Sequence, residues 1–218
     1  MMATIQCRCG AVQIRLARNQ AIWRLECCCH DCMSALWYVN KHKGAPAPPE
    51  HQLLDTVWFA NDLTVVKGLD KIGSYKNHNE GDTTRFYCKD CWTCLIADHA
   101  VYLAKMVITQ VVNFTGFEGL TGADLIPLQA RHFLKDLTAE QRAALPSFSG
   151  AAECVYDSAA ENFLDSMTEI LAKGGTGEMN LQVLAEKVGP PFIPEDERER
   201  MAEGPPCLGQ QAKAAEGR

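Results

Sequence analysis

Cysteine is the residue type that most constrains this chain. Eleven cysteines occur in 218 residues, and nine of them lie within the first 94. A disulfide framework normally accompanies a secretory signal and an even cysteine count, but here the count is odd and the opening MMATIQCRCG has no apolar signal core. Residues 1–25 lack acids and contain arginines, as transit peptides do, yet cleavage there would remove two cysteines. We therefore expect a cytoplasmic protein that uses its cysteines to bind metal.

The nine early cysteines form three groups. They are Cys7 and Cys9; Cys27, Cys28, Cys29 and Cys32; and Cys88, Cys91 and Cys94. A C-x-C or C-x-x-C pair lets two thiolates from one tight turn reach the same metal, and tetrahedral zinc accepts two such pairs. The spacing therefore predicts a closed structural zinc site made by Cys7, Cys9, Cys88 and Cys91. A thioredoxin-like redox pair is the alternative, but it would accompany a βαβ unit that this sequence does not indicate.

The middle group predicts a different kind of site. Cys27, Cys29 and Cys32 offer three thiolates from one loop, with no second pair to complete a tetrahedron. Three protein ligands and an open position are typical of a zinc that meets substrate. The alternative is a structural site whose fourth ligand is Cys28 or His30.

Short segments rich in Val, Ile, Tyr, Phe and Thr predict a mainly β fold over the first 120 residues. We expect strands in residues 5–16, 21–25, 56–60, 63–67, 73–76, 84–87, 95–98 and 106–113, with a turn near Asn19 and a proline-rich loop over residues 41–50. No segment in this part shows a long helical period, so helices are predicted only later in the chain.

The apolar pattern changes after residue 150. Ser158 and Glu161 are spaced as a capping box before a helical stripe over residues 163–171. Asn180 begins a second predicted helix, over residues 181–188. Beyond it, the chain has too few large apolar residues to offset the entropic cost of ordering. We expect a zinc domain at residues 1–150, a helical extension at 151–194 and a flexible tail at 195–218.

Three motifs together resemble one known family. They are Cys7-x-Cys9-Gly10-x-Val12, Cys27-x-Cys29-x-x-Cys32 and Arg85-Phe86-x-Cys88-x-x-Cys91. This order resembles the glutathione-dependent formaldehyde-activating enzymes, also called the GFA or CENP-V/GFA domain family. Residues 59–68 (FANDLTVVKG) and 131–150 are similar to further segments of that family, so the resemblance extends over residues 1–150.

The resemblance implies an Mss4-like fold of zinc-bound antiparallel sheets, followed here by the C-terminal helical extension. It also implies one structural four-cysteine zinc and one three-cysteine zinc at which a thiol such as glutathione binds. The chain departs from the family pattern at three places. Cys28 replaces the usual histidine, Trp92 replaces the usual glycine, and residues 33–44 (MSALWYVNKHKG) replace a stretch of small residues. These departures change the shape expected for the substrate pocket.

The expected function follows from the chemistry of three thiolates. A zinc with three thiolate ligands polarises water weakly and is suited to holding a substrate sulfur as thiolate. We expect a carbon–sulfur lyase or thiol–aldehyde adduct synthase with Cys27, Cys29 and Cys32 at its catalytic site, and His30 or Asp31 as candidates for proton transfer. The alternative is a catalytically silent zinc module that binds a protein partner through its C-terminal extension.

Charge and hydropathy argue against two classes of partner. The chain has 21 Lys and Arg against 27 Asp and Glu, a net charge of −6 with no long basic run, which disfavours nucleic acid. Apolar stretches such as residues 101–114 are shorter than the roughly 20 residues that a membrane span needs. We expect a small thiol as partner, and neither nucleic acid nor membrane.

Overall fold

The computed structural model describes residues 3–16, 21–114, 126–173, 175 and 180–194, which form a mainly β protein. The strands are β1 (Thr4–Gln6), β2 (Gln13–Leu16), β3 (Trp23–Cys27), β4 (Leu54–Ala60), β5 (Leu63–Lys67), β6 (Ile72–Tyr75), β7 (Thr83–Cys88), β8 (Cys94–His99), β9 (Met106–Gln110) and β10 (Ala130–His132). The helices are α1 (His30–Lys43), α2 (Ala139–Ala143), α3 (Glu161–Asp165), α4 (Met167–Ala172) and α5 (Leu181–Val188). None of these helices combines the length and the apolar character that crossing a bilayer requires.

The strands form two sheets. β1, β2 and β5 make a three-stranded antiparallel sheet, and the other seven follow the order β10-β3-β4-β9-β8-β7-β6. Pairing in the larger sheet is antiparallel except between β3 and β10, which run parallel. The prediction of purely antiparallel sheets is therefore wrong at this edge. A parallel pair needs a long connection, and here the chain between β3 and β10 includes six other strands and α1.

Most of the predicted strands are confirmed with small shifts of their ends. The strand over residues 63–67 has the predicted bounds, whereas the predicted strand over 106–113 ends at Gln110 and continues as a 3-10 turn, Val111–Phe114. The segment 5–16 is not one strand but two, β1 and β2, with a turn between them. The turn predicted near Asn19 lies outside the described residues.

Helix α1 corrects the expectation that the first 120 residues contain no helix. Its apolar positions do not make a clean stripe, because residues on several sides of the helix are buried: Met33, Ser34, Ala35, Tyr38 and Val39. Its first residues follow the cysteine loop, with Cys29 as N-cap, and Gly44 ends it in the left-handed conformation. The loop predicted over residues 41–50 is therefore helical as far as Lys43.

The C-terminal segment lies along both edges of the larger sheet. Phe192 bridges to Tyr75 on β6, with its N–H donating to Ser74 O at 2.7 Å. At the opposite edge, Val155 bridges to Arg131 on β10. Unpaired strand edges are sites at which other chains can add, so this segment protects the sheet.

The helices of this segment differ in part from the prediction. The stripe over residues 163–171 is two short helices, α3 and α4, that meet at Ser166. Ser158 does not cap them: Ala160 is the N-cap, and no side chain bonds to the first turn. The cap of α5 is confirmed, because Asn180 Oδ1 accepts the N–H groups of Gln182 and Val183, both at 3.0 Å. The predicted tail over 195–218 lies outside the described residues.

Two main apolar clusters fill the interior. The first includes the buried side chains Ile5, Ile14, Phe59, Phe86, Leu181 and Leu184, and the second includes Trp23, Leu25, Met33, Trp58, Tyr102 and Phe163. The C-terminal helices contribute to both clusters. Burial of each large apolar side chain contributes about 1.5–3 kcal/mol, so residues beyond 150 add substantially to the stability of the β core.

A buried ion pair joins the two parallel strands. Arg131 Nε on β10 donates to Glu26 Oε2 on β3 at 2.7 Å, and both side chains are nearly excluded from solvent. We expect Glu26→Ala to lower the free energy of unfolding by about 3–5 kcal/mol, because it leaves the guanidinium buried without its carboxylate. Asp55→Ala is the matched control: it breaks the more exposed pair with Arg24 and should cost about 1 kcal/mol or less. Urea denaturation measures both, and equal losses would contradict the prediction.

Candidate functional site

Two hairpin turns bring four cysteines together. Cys7 and Cys9 follow β1, Cys88 ends β7, and Cys91 lies in the turn between β7 and β8. Their sulfur atoms all lie within 4.8 Å of one another, with 3.4 Å between Cys7 and Cys9 and 3.8 Å between Cys9 and Cys88. These are the four residues that the spacing predicted as one site, and the group could hold a metal ion.

Hydrogen bonds shape the first turn and tie it to the second. Cys7 N–H donates to Val12 O at 3.1 Å, and Val12 N–H donates back to Cys7 Sγ at 3.2 Å. Thr93 Oγ1 accepts the Arg8 N–H at 3.1 Å and lies 3.1 Å from Cys91 Sγ. The two turns are therefore aligned by the protein's own polar groups, 85 residues apart in sequence.

Two backbone positions near this group require the left-handed region. Gly68 has φ +75°, and a Cβ there would lie 2.2 Å from Ala11 O, so the turn after β5 needs glycine. Trp92 has φ 54°, where a large side chain is strained. Its ring stacks on Tyr87 with a centroid separation of 4.1 Å and meets Phe192 edge-on. This packing offsets the strain of a tryptophan in the left-handed region.

The second group is a compact loop between β3 and α1. Cys27 ends β3, Cys29 is the N-cap of α1 and Cys32 lies in its first turn. Cys29 N–H donates to Cys27 Sγ at 3.4 Å, and Cys32 N–H donates to Cys29 Sγ at 3.3 Å. All three sulfurs lie within 4.8 Å of one another, so this group too could hold a metal ion.

No fourth ligand completes this group within the described part of the chain. No further His, Cys, Asp or Glu there brings its ligand atom within 4.8 Å of all three sulfurs. Cys28 is buried but does not belong to the group, and burial raises the pKa of its thiol to about 12. His30, the other alternative for the fourth position, is also outside it, and its backbone N–H donates to Asp136 Oδ2 at 2.9 Å. Cys94 belongs to neither group, and burial raises the pKa of its thiol to about 11.

A cavity of about 580 Å³ opens beside the three cysteines. Its size is within the range of pockets that bind small molecules, about 300–1,000 Å³. The walls come from the cysteine loop, from β4, β7, β8 and β9, and from two later segments around β10 and α3. They include all three cysteine residues together with Asp31, Trp58, Arg85, Tyr102, His132 and Phe163.

Arg85 holds the cysteine loop in position through an ion pair with Asp31. Its side chain is 6% exposed, and Nη2 donates to Asp31 Oδ2 at 2.7 Å. Asn77 Nδ2 donates to the same residue, both to its carboxylate and to its backbone carbonyl. Burial alone would lower the pKa of Arg85, but the charges of Asp31 and Cys32 and the hydrogen bond to Asp31 outweigh it and raise the pKa. A permanently charged guanidinium therefore holds Asp31, one of the two residues predicted for proton transfer.

His132 is a cavity residue that the sequence analysis missed. It lies on β10 opposite Cys27 in the parallel register and is 8% exposed. Nδ1 accepts the Ala160 N–H at 3.3 Å, which makes Nε2 the protonated nitrogen of the neutral ring. Nε2 is buried and has no hydrogen-bond partner in the described residues. Burial lowers the pKa of His132 to about 4, so the ring is neutral at pH 7.

No model of a known protein family matches the chain, and no curated protein matches it.

Proposed function

We propose that this protein is a zinc-dependent carbon–sulfur lyase or thiol–aldehyde adduct synthase of the formaldehyde-activating (GFA) type, with an Mss4-like fold. The observation that carries the proposal is the incomplete three-cysteine group, which opens directly onto a cavity large enough for a small organic molecule. A site that binds metal only for stability would be closed by a fourth protein ligand. The two sheets and the paired cysteine turns support the Mss4-like fold.

The donor sets fit zinc at both groups. Zinc prefers tetrahedral thiolate coordination with bonds of about 2.3 Å, which corresponds to sulfur–sulfur separations of about 3.8 Å. The separations of 3.4 and 3.8 Å in the four-cysteine group lie close to that value. In the three-cysteine group, Cys27, Cys29 and Cys32 would hold the ion, and zinc there would supply a position that keeps a substrate thiol ionised at neutral pH.

The chemistry needs no oxidant or reductant. In the synthetic direction the substrate sulfur forms a bond to the aldehyde carbon, the C=O π pair moves to oxygen, and oxygen takes up the proton that the thiol released. The reverse reaction breaks the same C–S bond and returns the proton to sulfur. Holding the two reactants together in a cavity accelerates the synthetic direction, because the reaction no longer depends on a chance encounter. By microscopic reversibility the same site also accelerates cleavage of the adduct.

His132 supports this chemistry as a hydrogen-bond donor. Its Nε2–H is buried and unpartnered within the described residues, and His132 is one of the residues that line the cavity. Charge develops on the substrate oxygen when sulfur adds to the carbonyl carbon, and a fixed donor stabilises that charge more than water does. We propose that His132 Nε2–H donates to the carbonyl oxygen of the substrate. Arg85 and Asn77 have a different role: they position the cysteine loop through Asp31.

The test is whether an added thiol becomes a fourth sulfur ligand at one site only. In the full chain loaded with cadmium-113, the two groups should give two NMR resonances, one from four-sulfur and one from three-sulfur coordination. We expect 2-mercaptoethanol to move the three-sulfur resonance toward the four-sulfur one and to leave the other unchanged. A spectrum that thiol does not change would contradict the proposal and favour the catalytically silent module that binds a protein partner.

A further inference from the structure

We infer that the cavity beside Cys27, Cys29 and Cys32 selects thiols whose organic part is apolar and carries no negative charge, and discriminates against glutathione and other anionic thiols. The inference rests on the proposed function, because it names the substrate class of the same site. The inferred substrate class differs from glutathione, the thiol that the resemblance to the GFA family implies.

Most of the exposed surface inside the cavity is apolar, and much of it comes from aromatic rings. Trp58 and Tyr102 meet edge to face with ring centroids 6.4 Å apart, and Phe163 packs on Trp58 at 5.4 Å. Rings in this arrangement offer apolar surface and few hydrogen-bonding groups. A ligand body that is aromatic or alkyl therefore gains free energy here by leaving water, whereas peptide amides would lose their hydrogen bonds to water.

Two apolar residues that line the cavity are also exposed to solvent. Leu164 is 53% exposed and Val101 is 45% exposed, and both contribute to the lining. Single exposed apolar residues are common, but these two belong to one continuous lining with the buried aromatic rings. The apolar surface thus continues from the interior to the opening.

The charged groups of the lining disfavour an anion. The described lining residues include four carboxylates, Asp31, Glu80, Asp82 and Asp136, against the single guanidinium of Arg85. The excess is three negative charges, and Arg85 is already paired with Asp31. Glutathione carries two carboxylates and one ammonium group near pH 7 and is therefore a net anion. Its entry would bring like charges together, at a modest cost because Asp31, Glu80 and Asp82 are exposed to solvent.

The experiment compares two thiols that differ by one carboxylate, with glutathione as a further probe. Benzyl mercaptan and 4-(mercaptomethyl)benzoate share one aromatic body, and glutathione is the third probe. Each is titrated into the full chain loaded with cadmium-113, and the shift of the three-sulfur resonance gives a dissociation constant. We expect benzyl mercaptan to bind at least about tenfold more tightly than either anionic thiol, since the carboxylate meets both an apolar wall and like charges.

Two variants, each with a matched control, measure separately how charge and the apolar wall affect thiol binding. Glu80→Gln should improve binding of the carboxylated thiol about two- to fivefold, whereas Glu186→Gln, an equal charge change on α5 away from the cavity, should not. Leu164→Ser should weaken benzyl mercaptan about threefold or more and leave 2-mercaptoethanol unchanged. Leu103→Ser is its control, because Leu103 is 67% exposed and does not line the cavity.

The outcomes distinguish this inference from the proposed function. If glutathione or the carboxylated thiol binds as tightly as benzyl mercaptan, the inferred selectivity is wrong. The proposal of an open three-cysteine metal site is then still supported, because a thiol binds there. If no thiol, 2-mercaptoethanol included, moves the three-sulfur resonance, both the open site and its selectivity are wrong. Tight binding of benzyl mercaptan that Leu164→Ser does not weaken would place the ligand outside this cavity and overturn the inference.

Discussion

Cys88→Ser is expected to remove one of two zinc ions and to destabilise the whole domain. Cys88 is fully buried at the end of β7, and its sulfur lies 3.8 Å from Cys9 on the other hairpin turn. A structural zinc in a small domain contributes on the order of 10 kcal/mol to folding, which is comparable to the whole stability of a typical domain. Zinc analysis should fall from two ions per chain to one, and circular dichroism should show a much lower melting temperature.

Cys154→Ser is the matched control for this variant. Cys154 lies outside both cysteine groups and is half-buried, so the same chemical change there should leave two zinc ions and an unchanged melting temperature. A Cys88→Ser protein that retained both its metal content and its melting temperature would contradict a structural role for the four-cysteine group.

Cys29→Ser is expected to abolish thiol binding and adduct exchange while the fold survives. Serine is a good N-cap, so its Oγ can accept the Cys32 N–H that Cys29 Sγ accepts now, and α1 should remain. The four-cysteine group is unchanged by this substitution. One zinc per chain, a cooperative melt and no three-sulfur cadmium resonance are the expected signature. Exchange of carbon-13 formaldehyde with its thiol adduct, followed by NMR, should fall to the rate without protein.

Cys28→Ala provides the comparison for Cys29→Ser. Cys28 directly precedes Cys29 in the chain and is more buried, but it lies outside the metal group. We expect Cys28→Ala to keep two zinc ions and to keep thiol exchange. If Cys28→Ala and Cys29→Ser lost the same amount of metal, Cys28 would be the fourth ligand of the three-cysteine site. The site would then have no open position for a substrate thiol.

The cysteine groups could be predicted from spacing because their chemistry is local. Two thiolates in one short turn can face one ion whatever the rest of the fold does, so Cys7 with Cys9 and Cys88 with Cys91 are recognisable in pairs. The alternation of apolar and polar residues also located most strands of both sheets, since side chains of a strand alternate between its two faces. These features depend on neighbours within a few residues.

The cavity could not be predicted because its walls depend on distant contacts. Arg131 and Glu26, which join β10 to β3, are 105 residues apart, and this parallel pairing brings His132 opposite Cys27. No local pattern marks such a pairing, and a single histidine in a sequence has no distinguishing spacing. Helix α1 was missed for a related reason: burial on several of its sides removes the apolar stripe that identifies a helix.

The bridge from Phe192 to β6 has a consequence for the newly made chain. β6 and β7 are complete once Cys88 has been added, but the residue that covers the β6 edge comes 104 residues later. At about 5–20 residues per second, that edge stays uncovered for about 5–20 s of synthesis. During this interval two nascent chains on one messenger can pair edge to edge. The C-terminal segment thus limits self-association through this edge only after Phe192 has been synthesised.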